Sequence, residues 1–362
     1  MTNSTKKDII SIFKDNFNYS IKDNYDWKLE SLSKDANNSR IVYYGVNKED
    51  KNDCIYVKQI KISFVSYKKI LKEIYFLILL KMHEFFVHLD DILLSLDKRC
   101  IFLIFKGNTV SLNSLIDSKK NNYLSNKQLV KYIIYQITFG LYILHSNNII
   151  HNDIKPPNIL IDGECNITIC DFGSASYKQE SSEDFTRYYS SPEFLYDTRI
   201  IRDEKSDIWA LGVIMIELFL AKNHFFKNRN ENDKNKKNKN QLNYILSKFG
   251  IKENISNEEI NKLIYNYSNQ KYNIIFEKEE IEKINDKDAI ELINNLLALN
   301  PKKRFSALDA LKSNYLKEFL EEDLSHDLKK IEKPINYEEL SGEISEENFE
   351  IIFNQLKSKI KD

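Results

Sequence analysis

The spacing of apolar residues changes character once along this chain, and that change bounds what it can fold into. Up to Phe105 the strongest signals are strand-like runs, at Arg40–Tyr44, at Ile55–Ile62 and ending at Ile101–Phe105. In the second run Ile55, Val57, Ile60 and Ile62 mark the apolar positions. A single helical segment, Lys68–Lys81, rich in Ile and Leu, interrupts this region. From Ser111 onward the helical period dominates. Leu129–His145 reads as a long amphipathic helix, and Ser206–Leu220 is apolar almost all round and therefore reads as buried, with Asp207 near its start. Only two short strands, Ile159–Ile161 and Ile167–Ile169, break this pattern, turning at Asp162-Gly163. These signals predict an α+β chain with a small antiparallel sheet region carrying one helix and a larger, mainly helical region, around separate cores.

The expected boundaries follow from these shifts: a polar extension over 1–25 with a short helix at Ile9–Phe13, a small lobe over 26–106 and a large lobe over 107–320. Lys106-Gly107-Asn108 reads as the connector. Phe226–Asn240 is a run of Asn, Lys, Asp and Glu without periodicity, so about 227–240 reads as a disordered surface insert. Helices resume over Ile290–Lys317, broken at Asn300-Pro301. The segment 321–362 is acidic and ends in a short amphipathic helix, with Phe349, Ile352, Leu356 and Ile360 at helical spacing.

Charge and cysteine content narrow the function. A formal net charge of −1 argues against nucleic-acid binding through bulk positive charge. Cys54, Cys100, Cys165 and Cys170 show neither C-x-x-C spacing nor neighbouring His, so they read as reduced thiols in a cytosol-like compartment. MTNSTKKDII lacks the apolar stretch of a signal peptide, and the run Ile74–Leu80 is too short to cross a bilayer, so no membrane association is expected. The expected location is cytoplasmic. The KNKKNK core of the insert offers a nuclear-import reading beside the preferred one of a solvated loop.

The chemistry concentrates between Ile150 and Phe194. His151-Asn152-Asp153-Ile154-Lys155-Pro156-Pro157-Asn158 places a carboxylate, an ammonium and a carboxamide on one short loop. Asp171-Phe172-Gly173 and then Ser191-Pro192-Glu193 follow. The order H-x-D-x-K-x-x-N, D-F-G, (A/S)-P-E resembles the catalytic loop, metal loop and activation-segment anchor of eukaryotic protein kinases. The resemblance covers about 26–320 and is closest to the group holding the cyclin-dependent, glycogen synthase and MAP kinases (CMGC). Cys170–Ala175, Thr186–Tyr189, Gln241–Leu246 and Asn300–Arg304 are similar to that group's pattern.

This resemblance implies the two-lobed protein kinase fold, ATP and Mg²⁺ as cofactors, and Ser/Thr of protein substrates as acceptors. It implies Asp153 as catalytic base or hydroxyl-orienting group, Lys155 as the cation beside the transferring phosphoryl group, and Thr186 as a bridge between them. Lys155 is typical of serine/threonine enzymes. Asn158 and Asp171 would hold metal, while Lys58, paired with Glu73, would meet the phosphates. Lys61 and Glu84 are alternatives for that pair; Ile55-Tyr56-Val57-Lys58 matches V-A-I-K and favours Lys58. Val42 and Leu160 would flank the nucleotide base, with Phe105 as gatekeeper and Lys106 to Asn108 along the adenine edge. Glu193 would pair with Arg304, Asp207 would brace the catalytic loop, and His145, His151 and Cys170 read as packing residues.

The chain departs from the family pattern in three places. No G-x-G-x-x-G is present, and its glycine positions fall on Asp35, Asn37 and Arg40. Glycine there lets backbone N–H groups close over phosphates. Tyr56 stands where V-A-I-K has alanine, so its phenol either fills the adenine slot or points away; period two opposes the latter while Lys58 points inward. Asn152 replaces the Arg of H-R-D, which leaves a phosphate at Ser181 or Ser182 without an obvious local cation, and activity is expected not to depend on an upstream kinase. Tyr67–Glu73 does not resemble a cyclin-binding signature, so a cyclin partner is not supported. Two readings remain open: an active protein kinase, and a pseudokinase acting as a scaffold or allosteric partner.

Overall fold

The computed structural model describes residues 28–34, 39–46, 54–62, 65–95, 99–107, 109–118, 122–178, 186–227, 237–252, 255–265, 272–320, 331, 333–340 and 343–360. The expected helix at Ile9–Phe13, Asp35, Asn37, Asn108, Ser181 and Ser182 lie outside them. The chain divides into two compact units, one holding the residues up to Thr109 together with those from Ile331, the other Val110–Lys330.

The first unit is built on a five-stranded sheet of β1 (Lys28–Lys34), β2 (Arg40–Val46), β3 (Cys54–Lys61), β4 (Asp91–Ser95) and β5 (Cys100–Lys106). Their order is β1-β2-β3-β5-β4, and every neighbouring pair is antiparallel. Alternation sorts their side chains between the two faces. Tyr43, Ile55, Val57, Leu93, Cys100, Phe102 and Ile104 form one buried cluster. Tyr56 and Lys58 alternate with Ile55 and Val57 and so occupy the opposite face. Register pairs Val42 with Lys58, Tyr44 with Tyr56, Tyr56 with Phe105 and Lys58 with Leu103, so these residues share that second face.

Helix α1 (Tyr67–Leu79) begins at Ser66, whose hydroxyl accepts from the Lys69 N–H at 3.4 Å. It buries every residue from Glu73 to Leu79, more than one stripe of an amphipathic helix. The reason lies at the other end of the chain. The expected C-terminal helix forms over Glu346–Ser358 and packs along α1, so this unit carries a second helix beside the one predicted for its sheet region. Tyr67 stacks on Phe349 with ring centroids 4.4 Å apart, and Tyr75 and Phe76 lie 5.1 and 5.8 Å from Tyr337. Lys72 sits over the Tyr337 ring, and Lys81 Nζ donates to the Lys359 carbonyl at 2.8 Å. Phe349, Ile352, Phe353 and Leu356 are buried. Each such side chain removed from water contributes about 1.5–3 kcal/mol.

In the second unit α2 (Lys127–Ser146) packs against α3 (Glu204–Leu220). Helix α3 is buried from Asp207 to Leu220, as its apolar circumference predicts. Gly212 marks its closest approach: a Cβ there would come within 2.8 Å of Leu297. The short strands β6 (Val110–Ser111), β7 (Ile149–Ile150), β8 (Ile159–Ile161), β9 (Ile167–Ile169) and β10 (Ser176–Tyr177) form a β6-β8-β9 sheet and a β7-β10 pair. The part of the expected insert at 237–240 belongs to helix α4 (Lys237–Lys248) instead. Tertiary bonds hold it: Arg187 Nε donates to Asn238 Oδ1 at 3.0 Å, and buried Gln241 donates to the Phe226 carbonyl at 2.7 Å.

Candidate active site

The loop between β7 and β8 hangs on one buried carboxylate. Asp207 Oδ2 accepts from the His151 N–H at 2.9 Å and Oδ1 from the Asn152 N–H at 3.0 Å. His145 Nε2 lies 3.1 Å from Oδ2. Burial pushes the Asp207 carboxyl upward, but the hydrogen bond and charge of His145 and the His151 amide outweigh it, and its pKa lies below the ordinary value. His151 is fully buried against Phe172 and its ring meets the Cys170 carbonyl at 3.1 Å. Cys170 itself is half-buried.

Asn152 adopts a left-handed backbone, with φ 67°. Its buried carboxamide donates to the Ser174 carbonyl at 3.0 Å and to Ser176 Oγ at 2.9 Å. This residue therefore ties the loop to the start of the following segment with no phosphate involved. Arg202, also buried, donates to the Asn152 carbonyl at 2.8 Å. Sequence reasoning missed Arg202; fifty positions separate it from its partner, and nothing local signals the contact.

With the loop so held, Asp153, Lys155, Asn158 and Thr186 converge. Thr186 Oγ1 donates to Asp153 Oδ1 at 2.7 Å, and Lys155 Nζ lies 2.5 Å from Asp153 Oδ2 and 2.9 Å from Thr186 Oγ1. Asn158 Nδ2 donates to the Asp153 carbonyl at 2.8 Å and to Oδ2 at 3.2 Å. Because the Asn158 amide is used as a donor, its Oδ1 is the atom that can meet a cation. Asp171 comes near this site through the β8–β9 register. Ile159 pairs with Ile169, and the Cys170 N–H donates to the Asn158 carbonyl at 2.9 Å, so Asp171 follows directly on the residue opposite Asn158. Asp171 is left-handed, φ 66° and ψ 69°, an uncommon conformation for a residue other than glycine and frequent at functional sites. Leu160 is half-buried between the buried Ile159 and Ile161, on the opposite face of β8.

Further along the second unit, Arg304 Nη1 and Nη2 grip Glu193 at 2.8 and 3.0 Å. The same guanidinium donates to the Ala298 and Lys205 carbonyls and lies over Trp209.

In the first unit Lys58 Nζ and Glu73 Oε1 form a buried ion pair at 2.5 Å. Glu84 is exposed, and Lys61 is half-buried. Val42 lies opposite Lys58, and Phe105 is buried opposite Tyr56. The connector's amides are engaged within the protein: the Lys106 N–H donates to Asp90 Oδ2 at 2.6 Å and the Gly107 N–H to the Cys54 carbonyl at 3.0 Å. Tyr56 Oη accepts from the Thr109 N–H at 3.2 Å and donates to the Thr109 carbonyl.

Each unit, taken by itself, carries donors of the kinds a nucleotide–metal complex uses. Asn158 and Asp171 offer hard oxygen ligands, as Mg²⁺ requires when phosphates complete its shell. Lys58, oriented by Glu73, offers a cation for phosphate. In the first unit the Tyr56 phenol is bonded to Thr109, the residue directly after the connector.

The protein kinase domain model matches residues 38–316, more than half of the chain. The mitogen-activated protein kinase sty1 of Schizosaccharomyces pombe is 33% identical over 241 residues, covering 65% of this chain and 64% of the relative. HOG1 of Debaryomyces hansenii is 30% identical over 249 residues, 66% of this chain and 59% of the relative. Mitogen-activated protein kinase 15 of Xenopus laevis is 30% identical over 265 residues, 68% of this chain and 42% of the relative. The chain thus spans less than two thirds of the length of each of these relatives. No helix among the described residues is long and apolar enough to cross a membrane. The antiparallel sheet, the mainly helical second unit, the convergent loop and these matches place the chain in the protein kinase domain family, similar to the MAP kinases of the CMGC group.

Proposed function

We propose that this chain is a serine/threonine protein kinase that transfers the terminal phosphoryl group of ATP to hydroxyls of protein substrates. The observation that carries this reading is the Asp153–Lys155–Thr186–Asn158 network, closed by bonds of 2.5–3.2 Å. Mg²⁺-bound ATP supplies the phosphoryl group and the means to neutralise its charge. Asp153 orients the acceptor hydroxyl and takes its proton, at a carboxylate whose two oxygens Thr186 and Lys155 hold in place. Lys155, the cation of that loop, faces the charge that develops on transfer. Asn158 and Asp171 hold the metal, and Lys58 with Glu73 holds phosphate. By the family resemblance, Val42, Phe105, Lys106 and Asn108, and in the second unit Leu160, are the residues assigned to the base. The similarity to enzymes named mitogen-activated protein kinases supports the acceptor class.

A second reading, a pseudokinase that acts through its surfaces, is favoured by the engagement of Tyr56 with Thr109. Transfer of labelled γ-phosphate from Mg-ATP to a basic protein, by wild type beside Asp171→Asn, decides between them. Transfer by wild type that disappears in the variant is expected. Absence of transfer by wild type at saturating ATP, across varied substrates, favours the pseudokinase.

A further inference from the structure

The peptide that joins Asn152 to Asp153 sets the direction in which the Asp153 side chain leaves the loop, and it is held at both ends. Its N–H donates to His151 Nδ1 at 3.3 Å, and its carbonyl accepts from Arg202 Nη1 at 2.8 Å. Such a hold is needed because Asn152 is left-handed, φ 67°, a region that residues other than glycine seldom occupy unaided. Where the family pattern has Arg, this chain has Asn152. Arg202 brings a guanidinium to that residue's carbonyl from just before α3. The Arg202 side chain is buried, and its guanidinium lies over the Phe194 ring, 4.6 Å from the centroid. Phe194 belongs to the short helix Pro192–Tyr196 and follows directly on Glu193, which Arg304 grips. Arg202 also walls a cavity of about 20 Å³ with Asp153, Thr186 and Ser191, the room of about one water molecule. Little space is left for the loop to move while the guanidinium is in place.

We propose that Arg202 is a positioning residue for phosphoryl transfer: it locks the Asn152–Asp153 peptide to the helix that carries Glu193, and so aims Asp153 without touching substrate. This rests on the kinase reading above and deepens it. A guanidinium suits the task, since one N–H serves the carbonyl while its flat face packs on Phe194. Lysine keeps a donor and a charge without the flat face, and methionine keeps neither donor nor charge. Because the lock acts on Asp153 and not on nucleotide, it governs the transfer step and leaves ATP binding alone.

The test compares wild type, Arg202→Met, Arg202→Lys and Phe194→Leu in the full chain. Transfer of labelled γ-phosphate gives KM for ATP and kcat per folded molecule, with thermal unfolding as the check on folding. Backbone hydrogen exchange gives the protection of the loop. Arg202→Met is expected to lower kcat about tenfold or more at unchanged KM for ATP. Exchange is expected to rise in peptides spanning His151–Asp153 and not in α2 or α3. Arg202→Lys and Phe194→Leu are expected between Arg202→Met and wild type, and they carry the test if Arg202→Met does not fold. A purely structural role would lower protection across the whole second unit in step with thermal stability, at unchanged kcat per folded molecule; that result overturns the proposal. So does a folded Arg202→Met with wild-type kcat and wild-type loop exchange. If wild type transfers no phosphate, the kinase reading fails; a rise in exchange confined to the loop then still upholds the lock, and no rise overturns it.

Discussion

Replacing Asp207 by Asn tests whether a single buried carboxylate organises the catalytic loop. The native carboxylate accepts from two backbone amides, of His151 and Asn152, and from His145. An amide of the same shape has one acceptor oxygen. Whichever way it turns, its NH₂ confronts one of the two backbone N–H groups, donor against donor. One buried N–H left unsatisfied costs about 1–3 kcal/mol, and losing the charge on the remaining bonds costs roughly 1 kcal/mol each. The expected destabilisation is therefore on the order of 3–5 kcal/mol in the second unit. Trp209, two positions along the same helix and fully buried, reports it by fluorescence during urea unfolding in a Trp27→Phe background. A second expected consequence is pH-dependent. Because the native Asp207 pKa is depressed, its stabilisation is complete above the unfolded value of about 3.9 and declines as pH falls through the native one. Asp207→Asn lacks that component, so the two unfolding profiles should converge in acid. A loss below about 1 kcal/mol at neutral pH, with normal phosphoryl transfer, would refute the idea that this side chain holds the loop.

Two further outcomes follow from the same unit. Glu193→Ala strands a buried guanidinium and should cost roughly 3–5 kcal/mol, whereas adding Arg304→Met to it should recover much of the loss; additive losses in urea unfolding would contradict a coupled pair. Glu217, in α3, accepts from Tyr189 Oη and the Phe225 N–H, and burial raises its pKa to about 7. Between about pH 4.5 and 7 the folded state then binds more protons than the unfolded one, so stability should fall as pH rises across that window, by at most roughly 3 kcal/mol. Glu217→Gln should remove that slope, and an unchanged slope in a pH series of unfolding curves would exclude Glu217 as its source.

Local pattern carried much of this architecture. The strands Ile159–Ile161 and Ile167–Ile169 form over the predicted residues, because Ile159, Ile161, Ile167 and Ile169 recur at period two and bury one face; the turn between them runs over Asp162–Asn166 with its left-handed residue at Cys165, not at Gly163. Helix α3 is buried because no face of it is polar. The same reasoning located Phe349, Ile352 and Leu356 on one helical face but could not say what covers it. The answer, α1 and Tyr337, is a matter of tertiary packing between segments some 280 residues apart. Helix α4 starts within a stretch whose composition argues for disorder, since Asn238 and Gln241 acquire partners only in the folded chain. At the site, residue type and spacing singled out Asp153, Lys155 and Asn158, the family resemblance added Thr186, and the fold brings these four together. The substitution at Asn152 was legible as a missing arginine. Its replacement bonds to Ser174 and Ser176 were not, because a carboxamide's partners depend on where β10 lies.

Each contact among Asp153, Lys155, Thr186 and Asn158 is made within the second unit and anchored by Asp207, so this geometry stands before any nucleotide arrives. Pre-formed polar networks of this kind lower the reorganisation needed at transfer. Thr186→Ala, which removes one of the two side chains that hold the Asp153 carboxylate, is therefore expected to lower kcat for phosphoryl transfer and leave KM for ATP unchanged. A raised KM with an intact kcat would contradict that role.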